Sequence, residues 1–408
     1  MIKRVQFAAI IFFFMLAVSY AQESMADPLN LTSARSAGMG RVYTALVNDV
    51  TAIYWNPAAM SVLQNGQAGL VIRYANSAFS ISDPPQAPIR NWVIDTGSLT
   101  DISFIGLAFP FSDGKDNTHL GIGVRKFVNI PPVKSEKIQT LNAETFGWEY
   151  QNSGSVYVFT AAVSVNISQA LSLGGAFNFF SGDEEIIFSN LTTTSDKEIL
   201  FKNRQHYSRT SFHGGIYYQY DPQWIFALNL QLPHVLDRQQ NVETNGEFEV
   251  NDTQIFYPLF MNIAVGYVFN NNLKASVEYF YRPWQKVDVK DETLRYAFSN
   301  FSLNAFHLGS EYVFNPDSSS FSVRLGYYYN PTVYKNNTGE QISHHVITTG
   351  IGWSQGSILM NLGLEWIPFK YETGKLNTTI QGLPFEIPGT TFTSHAFQIS
   401  LDFFIRIS

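Results

Sequence analysis

The stretch FSVRLGYYYN, residues 321–330, sets Phe321, Val323 and Leu325 on one side of an extended chain and Ser322 and Arg324 on the other. A period of two residues indicates a β-strand, because successive side chains of a strand point to opposite faces. The segments 273–281, 358–366 and 397–407 alternate in the same way. Alternating runs of this length are long for a soluble strand and suit a strand that crosses a bilayer at a tilt.

Comparable segments recur along the rest of the chain and predict about fourteen strands, an even number as bacterial single-chain barrels require. They begin near Gln67, Thr100, Thr118, Ser155, Ala170, Gln205, Trp224, Gln254, Asn272, Ser302, Phe321, Ser343, Ser357 and Thr391. Tight turns are predicted at 270–272 and 354–356, on the periplasmic side. Long polar loops on the other side are predicted at 82–99, 131–153, 183–204, 236–252, 285–300, 331–342 and 370–390.

Composition favours the same fold class. Aromatic residues make up 15% of the 408 residues and charged residues only 14%, against about 25% charged in ordinary domains. Because lipid offers no hydrogen bonds, a sheet within it must close on itself. We therefore predict an all-β fold, a transmembrane antiparallel β-barrel; the alternatives, a soluble sandwich or a propeller, use shorter strands. The net charge of −7 disfavours nucleic-acid binding, and the absence of cysteine excludes disulfides and thiolate metal sites.

The chain begins with a segment that we interpret as a secretory signal peptide, residues 1–21. Lys3 and Arg4 precede the apolar run AAIIFFFMLAV, and Ser19 to Ala21 end it with small residues at the cleavage positions. No later run of apolar residues is long enough for a transmembrane helix. The sequence thus predicts export to the outer membrane of a Gram-negative-type bacterium, a barrel over 67–408, and a segment 22–66 that does not alternate.

Part of that segment, ARSAGMGRVYTALVNDVTAIYWNPAAM (34–60), resembles the N-terminal region of the long-chain fatty-acid transporter family, the FadL/OmpP1/TodX proteins. The matching residues are Ala37, Gly38, Met39, Gly40, Asp49, Ala52, Asn56, Pro57, Ala58 and Met60. The segments 258–287, 306–314, 323–334 and 342–353 are also similar to that family, so the likeness spans most of the chain after residue 21.

The resemblance implies a fourteen-stranded barrel whose lumen is plugged by an N-terminal hatch, residues 22–66. It also implies passive uptake of long-chain fatty acids or aromatic hydrocarbons. Ligand would leave sideways into the membrane, where an inward strand kink meets the hatch. Expected partners are the hydrophobic ligand, outer-membrane lipid and the barrel-assembly machinery, with a monomer as the family default. The same N-terminal segment is shared with PorV-like barrels of type IX secretion, which shuttle cargo proteins, and that role stays open as an alternative.

Within the hatch, an Asn-Pro pair favours a turn. We expect Asn56 to hydrogen-bond backbone groups that water cannot reach, and Pro57 to stiffen the bend. Glycines 38 and 40 would let the plug pass close to the wall. The residues assigned to the hatch and its gating are Gly38, Met39, Gly40, Trp55, Asn56, Pro57 and Ala58.

Charged residues on the polar strand faces are the candidates for contact with a ligand carboxylate. Arg324 is the first choice because its neighbours are aromatic, with Arg73 and Arg125 behind it. The alternative is that lumen charges such as Lys274 and Glu278 pair with one another. His344 and His345 point to opposite faces and cannot chelate one metal together. Because no nucleophile motif stands out, we predict no enzyme activity, no cofactor and no metal.

Overall fold

The structure is a computed structural model. It describes residues 33–82, 92–111, 118–141, 144–191, 197–244, 246–289, 301–315, 319–335, 339–372, 376–380, 383–387 and 391–407. The predicted signal peptide and residues 22–32 of the predicted hatch lie outside this part of the chain.

The described chain forms nineteen β-segments. They are β1 (Gly66–Ser82), β2 (Trp92–Phe111), β3 (Thr118–Leu141), β4 (Glu144–Asn166), β5 (Leu171–Leu191), β6 (Lys197–Gln219), β7 (Trp224–Gln231), β8 (His234–Thr244), β9 (Glu247–Tyr257), β10 (Phe260–Val268), β11 (Leu273–Arg282), β12 (Asp288–Val289), β13 (Leu303–Phe314), β14 (Ser320–Lys335), β15 (Gln341–Gln355), β16 (Ile358–Glu372), β17 (Leu376–Ile380), β18 (Leu383–Ile387) and β19 (Thr391–Ile407).

These segments build a closed antiparallel barrel of fourteen strands, which confirms the predicted fold class. Each of the pairs β7/β8, β9/β10 and β11/β12 is one barrel strand with an interruption, and β17–β18 form a separate hairpin. The barrel closes where β1 pairs with β19 along its whole length, from Gly66 opposite Ile407 to Ser82 opposite Thr391. Closure leaves no open edge in the sheet, as a bilayer requires.

Alternation of exposure along the strands fixes which face meets lipid. On β14, Leu325 is 60% exposed on the outer surface, whereas its neighbour Arg324 is 4% exposed and points inward. The outer face is rich in exposed apolar side chains such as Phe212, Phe306 and Trp366. An apolar outer band of this kind is what a transmembrane barrel presents to lipid.

The predicted long loops at 131–153, 183–204 and 236–252 are wrong, because the strands continue through them. The β3–β4 ladder is paired as far as Leu141 opposite Glu144, and the β8–β9 ladder as far as Thr244 opposite Glu247. The β5–β6 ladder likewise runs through most of 183–204. Backbone hydrogen bonds do not depend on apolar side chains, so polar strand extensions pair beyond the bilayer. The apolar alternation used to place strand ends could not detect them.

Three adjacent barrel strands are interrupted at one height, and each interruption contains a proline. Pro233 separates β7 from β8, Pro258 separates β9 from β10, and Pro283 follows β11. Gln231 lies opposite Phe260 and His234 lies opposite Tyr257, so the first two interruptions face each other. Proline cannot donate a ladder hydrogen bond, which explains why the strands break there.

Residues 33–65 precede the first strand and contain helix α1 (Ala34–Gly38), helix α2 (Ala52–Trp55) and a 3-10 helix (Pro57–Val62). A second 3-10 helix covers Trp284–Lys286. The side chains of residues 33–60 are buried almost throughout, and they contact the inward-facing side chains of the barrel. None of the helices in the described ranges is long and apolar enough to cross a membrane.

Candidate functional site: the N-terminal segment and the lumen wall

The N-terminal segment, defined here as residues 33–65, owes its helical turns to local capping. Ser33 and Ser36 form a reciprocal capping box at the start of α1. Asn56 caps the 3-10 helix by accepting a hydrogen bond from the backbone N–H of Ala58, with Pro57 at the first helical position. The segment is therefore a chain of short, individually capped turns rather than a strand, which explains its lack of a period.

Carboxylates of the wall hold this segment by its backbone. Asp402 accepts hydrogen bonds from the backbone N–H groups of Ala34 (2.6 Å) and Arg35 (3.1 Å) at the start of α1. Glu278 accepts from the backbone N–H groups of Tyr43 (2.9 Å) and Thr44 (3.1 Å). Because these donors are buried, each carboxylate satisfies groups that water cannot reach.

Ion pairs add to this attachment. The guanidinium of Arg35 donates two hydrogen bonds to Glu311, of 2.9 and 2.8 Å, and Glu311 also accepts one from Arg324 at 2.6 Å. Arg41 binds Glu365 at 2.8 Å in the same manner. Lys274 Nζ lies 3.3 Å from Glu311. The lumen charges thus pair across the bore, the alternative raised from the sequence, and two partners come from the N-terminal segment.

Glycines of the wall bring the segment into backbone contact with the strands. A Cβ atom on Gly326 would lie 2.0 Å from the backbone N of Gly40, and one on Gly309 would lie 2.1 Å from the carbonyl oxygen of Met39. No side chain fits at such distances. Further lumen-facing glycines in equally tight contact with the segment are Gly174, Gly215 and Gly363.

The Gly-Met-Gly turn lies between these wall glycines. Gly40 has a φ of +67°, a backbone conformation that favours glycine, and its N–H donates to Thr348 Oγ1 at 2.9 Å. His307 Nδ1 lies 2.8 Å from the Gly40 carbonyl oxygen. Met39 is fully buried. Gly38 packs against Gly350, 2.8 Å from the position of an added Cβ.

Asn56 also anchors the second half of the segment. Its amide nitrogen donates to the carbonyl oxygens of Thr44 (3.3 Å) and Ile216 (3.1 Å), so it hydrogen-bonds backbone groups away from water, as expected. Asn229 of β7 donates in turn to the carbonyl oxygen of Trp55 at 2.9 Å. The fully buried Asn56 thus joins two parts of the segment to β6.

The three arginines named from the sequence lie at different places. Arg324 is buried in the Glu311 ion-pair group. Arg73, on β1, has its Nε 3.6 Å from Asp101 Oδ1, and Lys126 Nζ lies 3.4 Å from the same carboxylate. Arg125, on β3, lies over the ring of Tyr54 with its Cζ 5.0 Å from the ring centroid. The structure therefore does not bring them together into one site.

A discontinuity in the wall lies beside Arg125. Among the described residues, the β2–β3 ladder is paired only from Phe111 opposite Thr118 to Phe104 opposite Arg125, although both strands continue well beyond that last pair. We call the unpaired stretch the β2–β3 seam. Tyr54 of the N-terminal segment packs edge-to-face on Phe104, with ring centroids 5.6 Å apart, so it lies directly behind the point where pairing stops.

Aromatic side chains line the lumen on the side of the segment away from the tight turns. Successive ring centroids lie 5.0, 5.8, 4.9, 6.1 and 5.3 Å apart, and every ring is buried. Arg282 extends the row, with its guanidinium 5.5 Å from the last ring. The rings of this aromatic series are, in order, Phe127, Phe180, His234, Tyr257, Trp284 and Phe260.

Sequence reasoning missed several of these residues. Arg35, Arg41 and Glu311 lie inside the quoted motifs, yet nothing in the motifs shows that they pair across the bore. The wall glycines did leave a signal, because a glycine recurs in the middle of strand after strand on the polar face. Two of them, Gly309 and Gly326, fall inside 306–314 and 323–334, two of the segments that are similar to the FadL family.

Comparisons with known proteins agree with this architecture. A FadL homologue of Pseudomonas aeruginosa is similar over 92% of this chain and 98% of its own, with a TM-score of 0.64 and 14% identity. The toluene transporter TbuX of Ralstonia pickettii is similar over 93% and 100%, with a TM-score of 0.60 and 13% identity. The P. putida toluene transporter TodX is similar over 93% of this chain and 99% of its own, with a TM-score of 0.59 and 12% identity.

No family model and no curated protein sequence matches the chain. At these identities the likeness is one of fold, and it confirms at that level the resemblance to the FadL family predicted from the sequence.

Proposed function

We propose that this protein is an outer-membrane channel for the passive uptake of hydrophobic small molecules, with long-chain fatty acids as the default substrate and aromatic hydrocarbons as the other candidate class. The observation that carries the proposal is the position of Tyr54. Tyr54 belongs to the N-terminal segment, and its ring contacts Phe104 and Arg125 where the β2–β3 seam begins. It also belongs to the buried apolar cluster that contains the aromatic series. The protein would act as an exported monomer, inserted by the barrel-assembly machinery, with no cofactor, metal or enzymatic step.

The aromatic series supplies the binding surface for an apolar ligand. Removing apolar area from water contributes roughly 25 cal/mol per Å², so a hydrocarbon gains free energy in passing from solution to a lumen lined by aromatic rings. Phe127 lies at one end of the series and contacts Arg125, whose guanidinium carbon is 5.6 Å from the Phe127 ring centroid. The series thus ends beside the seam.

The N-terminal segment blocks the straight way through. Its backbone lies against the wall on both sides, at Gly326 on one side and Gly174 on the other. A ligand that reaches Tyr54 would therefore leave sideways through the β2–β3 seam, where the described parts of the two strands share no ladder hydrogen bond that has to be broken. In this role the segment is the hatch, and its gating residues are Gly38, Met39, Gly40, Trp55, Asn56, Pro57 and Ala58.

A carboxylate ligand would meet Arg125 at the seam. Arg125 is buried between Tyr54 and Phe127, and charge-assisted hydrogen bonds are strongest where water is excluded. Arg73 lies one strand away, beside the Asp101 carboxylate. Arg324 is engaged with Glu311 on the other side of the segment.

The seam provides the test of this proposal. The chain has no cysteine, so Asp101→Cys with Lys126→Cys creates a single thiol pair whose positions face each other across the seam. Joining the two thiols with a short bis-thiol cross-linker should abolish uptake of labelled oleate or toluene by cells, whereas the uncoupled variant should still transport. The matched control joins Ile105→Cys to Val124→Cys, which face each other where the ladder is intact, and should leave uptake unchanged.

Uptake that is equal in cells with and without the protein would contradict the transport function altogether. Uptake that persists after cross-linking of the seam would contradict only the lateral route. The PorV-like secretion role makes a different prediction, a stable complex with an exported cargo protein, and such a complex together with no uptake would favour it.

A further inference from the structure

A cavity of about 160 Å³ lies at the tight-turn end of the barrel, between the N-terminal segment and the wall. It is separate from the aromatic series, and its residues Trp353, Ser354 and Leu359 flank the short connection between β15 and β16. Short turns face the periplasm in barrels of this type. The cavity is therefore placed to exchange with the periplasmic side.

The charges around this cavity do not balance. Four cationic side chains line it and only two carboxylates do, Asp49 and Glu311. The cationic residues are Arg35, Lys274, Arg324 and Arg406. Glu311 is already shared among the first three of these, and Asp49 accepts hydrogen bonds from Tyr43 and Thr51. Arg406 is exposed to solvent. Arg35, Lys274 and Arg324, however, share the single carboxylate of Glu311, and cations that share one counter-charge in a site of restricted solvent access favour an added anion.

A donor without an acceptor marks where that anion would bind. Arg324 is 4% exposed, and its Nε and Nη2 donate to Glu311 and Ser322 at 2.6 and 2.8 Å. Its Nη1 has no hydrogen-bond partner among the described residues. Guanidinium groups nearly always use their donors when buried, because a buried donor without an acceptor has lost its hydration and gained no hydrogen bond in return. Lys274 adjoins the same cavity with an ammonium that carries three donors.

The rest of the lining restricts the anion to one class. Val313, Trp353, Leu359 and Phe404 give the cavity an apolar side next to its charged one. Cavities of roughly 150 Å³ are large enough for a benzene-sized molecule and far too small for a long acyl chain. The occupant therefore combines one anionic oxygen pair with a small apolar body.

We propose that this cavity is a binding site for a small monocarboxylate, such as an aromatic or short branched acid, whose carboxylate is held by Arg324 and Lys274. The site faces the periplasm and does not lie on the proposed uptake route. It adjoins the Arg35–Glu311 ion pair of the N-terminal segment, so a bound carboxylate neutralises the excess charge and stabilises the attached state of that segment.

The test is calorimetric titration of the purified full-length protein in detergent with benzoate, with benzamide as the uncharged isostere and inorganic phosphate as an oxyanion without an apolar body. We expect benzoate to bind at least tenfold more tightly than either of the other two. Arg324→Gln should weaken benzoate binding by roughly tenfold to a hundredfold, the range for a hydrogen bond to a charged group. Heat-dependent migration in gel electrophoresis establishes that each variant keeps a folded barrel.

Lys274→Gln is the second variant, because it removes a partly exposed cation and leaves the Arg35–Glu311 and Arg324–Glu311 pairs in place. It should also weaken benzoate binding, by about tenfold. Arg204→Gln, which removes an exposed arginine from the β5–β6 extension, is the matched control and should change nothing. Benzamide binding as well as benzoate, tighter binding of phosphate, or benzoate binding unaffected by both cavity variants would each overturn the proposal. So would the absence of benzoate binding to the parent protein. Oleate or toluene uptake plays no part in these outcomes, so they are independent of the proposed uptake function.

Discussion

The contact between Gly326 and the Gly-Met-Gly turn leads to the sharpest prediction. In Gly326→Ala the added Cβ would lie 2.0 Å from the backbone N of Gly40 and 2.3 Å from the carbonyl carbon of Met39. Ordinary contacts of a Cβ atom are at least 3.4 Å, so the turn has to move by more than an ångström.

Such a shift removes two buried hydrogen bonds, from Gly40 N–H to Thr348 at 2.9 Å and between His307 and the Gly40 carbonyl at 2.8 Å. Each is worth about 1 kcal/mol when made, and somewhat more when its buried partner is left unsatisfied. We expect the attachment of the N-terminal segment to weaken by about 2–4 kcal/mol. The barrel itself should stay folded, because all its ladders remain.

Hydrogen exchange of the backbone amides of residues 38–60 measures this directly. A loss of 2–4 kcal/mol corresponds to exchange that is roughly 30- to 1,000-fold faster, at 1.4 kcal/mol per factor of ten. The matched control is Gly175→Ala on β5, where an added Cβ meets nothing within 4 Å. Equal exchange rates in the two variants would refute the view that glycine contacts fix the segment in the bore.

Further predictions concern the other attachments of the segment. Asn56→Ala removes the hydrogen bonds to Thr44 and Ile216 and the cap of the 3-10 helix. We expect the free energy that protects the amides of residues 51–60 from exchange to fall by about 1–3 kcal/mol, and oleate uptake to change. Unchanged uptake with a folded barrel would contradict the gating role. Glu311→Gln leaves Arg35 and Arg324 without their carboxylate, and we expect it to lower the free energy of attachment of the segment by about 3–5 kcal/mol in the same exchange measurement. The control, Glu185→Gln, removes the partner of Arg204 at the surface and should cost less than about 1 kcal/mol. Burial raises the pKa of Tyr54 to about 12, above its usual value near 10. The protonated phenol therefore stabilises the attached segment by about 2–3 kcal/mol below pH 10, and this contribution is lost as the pH rises from 10 to 12. Tyr54→Phe should lack this alkaline loss of amide protection, and an identical pH profile in the variant would show that another group is responsible.

Much of the barrel could be predicted from the sequence because alternation is a local property. Phe321 to Asn330 reveal their two faces without reference to any other strand, and the closure of the sheet follows from the demands of lipid. The ends of the strands could not be found in this way, because the polar β3–β4 and β5–β6 extensions are stabilised by backbone pairing rather than by side-chain pattern.

The same distinction between local and long-range features applies to the candidate site. The Asn56-Pro57 turn was predictable from neighbouring residues, whereas the partner of Arg35 lies 276 positions away, at Glu311. The pairing of such residues depends on the register of the whole barrel. For the same reason, Arg324 was predicted correctly to face the lumen, but its position relative to Arg125 was not predicted.

The close fit between wall glycines and the segment has a consequence for biogenesis. Contacts near 2 Å from an imagined Cβ leave no clearance through which a folded chain of capped turns could slide along the bore after the barrel has closed. The segment touches β5 and β6 on one side and β14 to β16 on the other, so both halves of the wall must form around it. We therefore expect the pairing of β1 with β19 to be the last step of assembly, with the N-terminal segment already in place. A chain lacking residues 33–65 should close faster, yet into a barrel with an open bore.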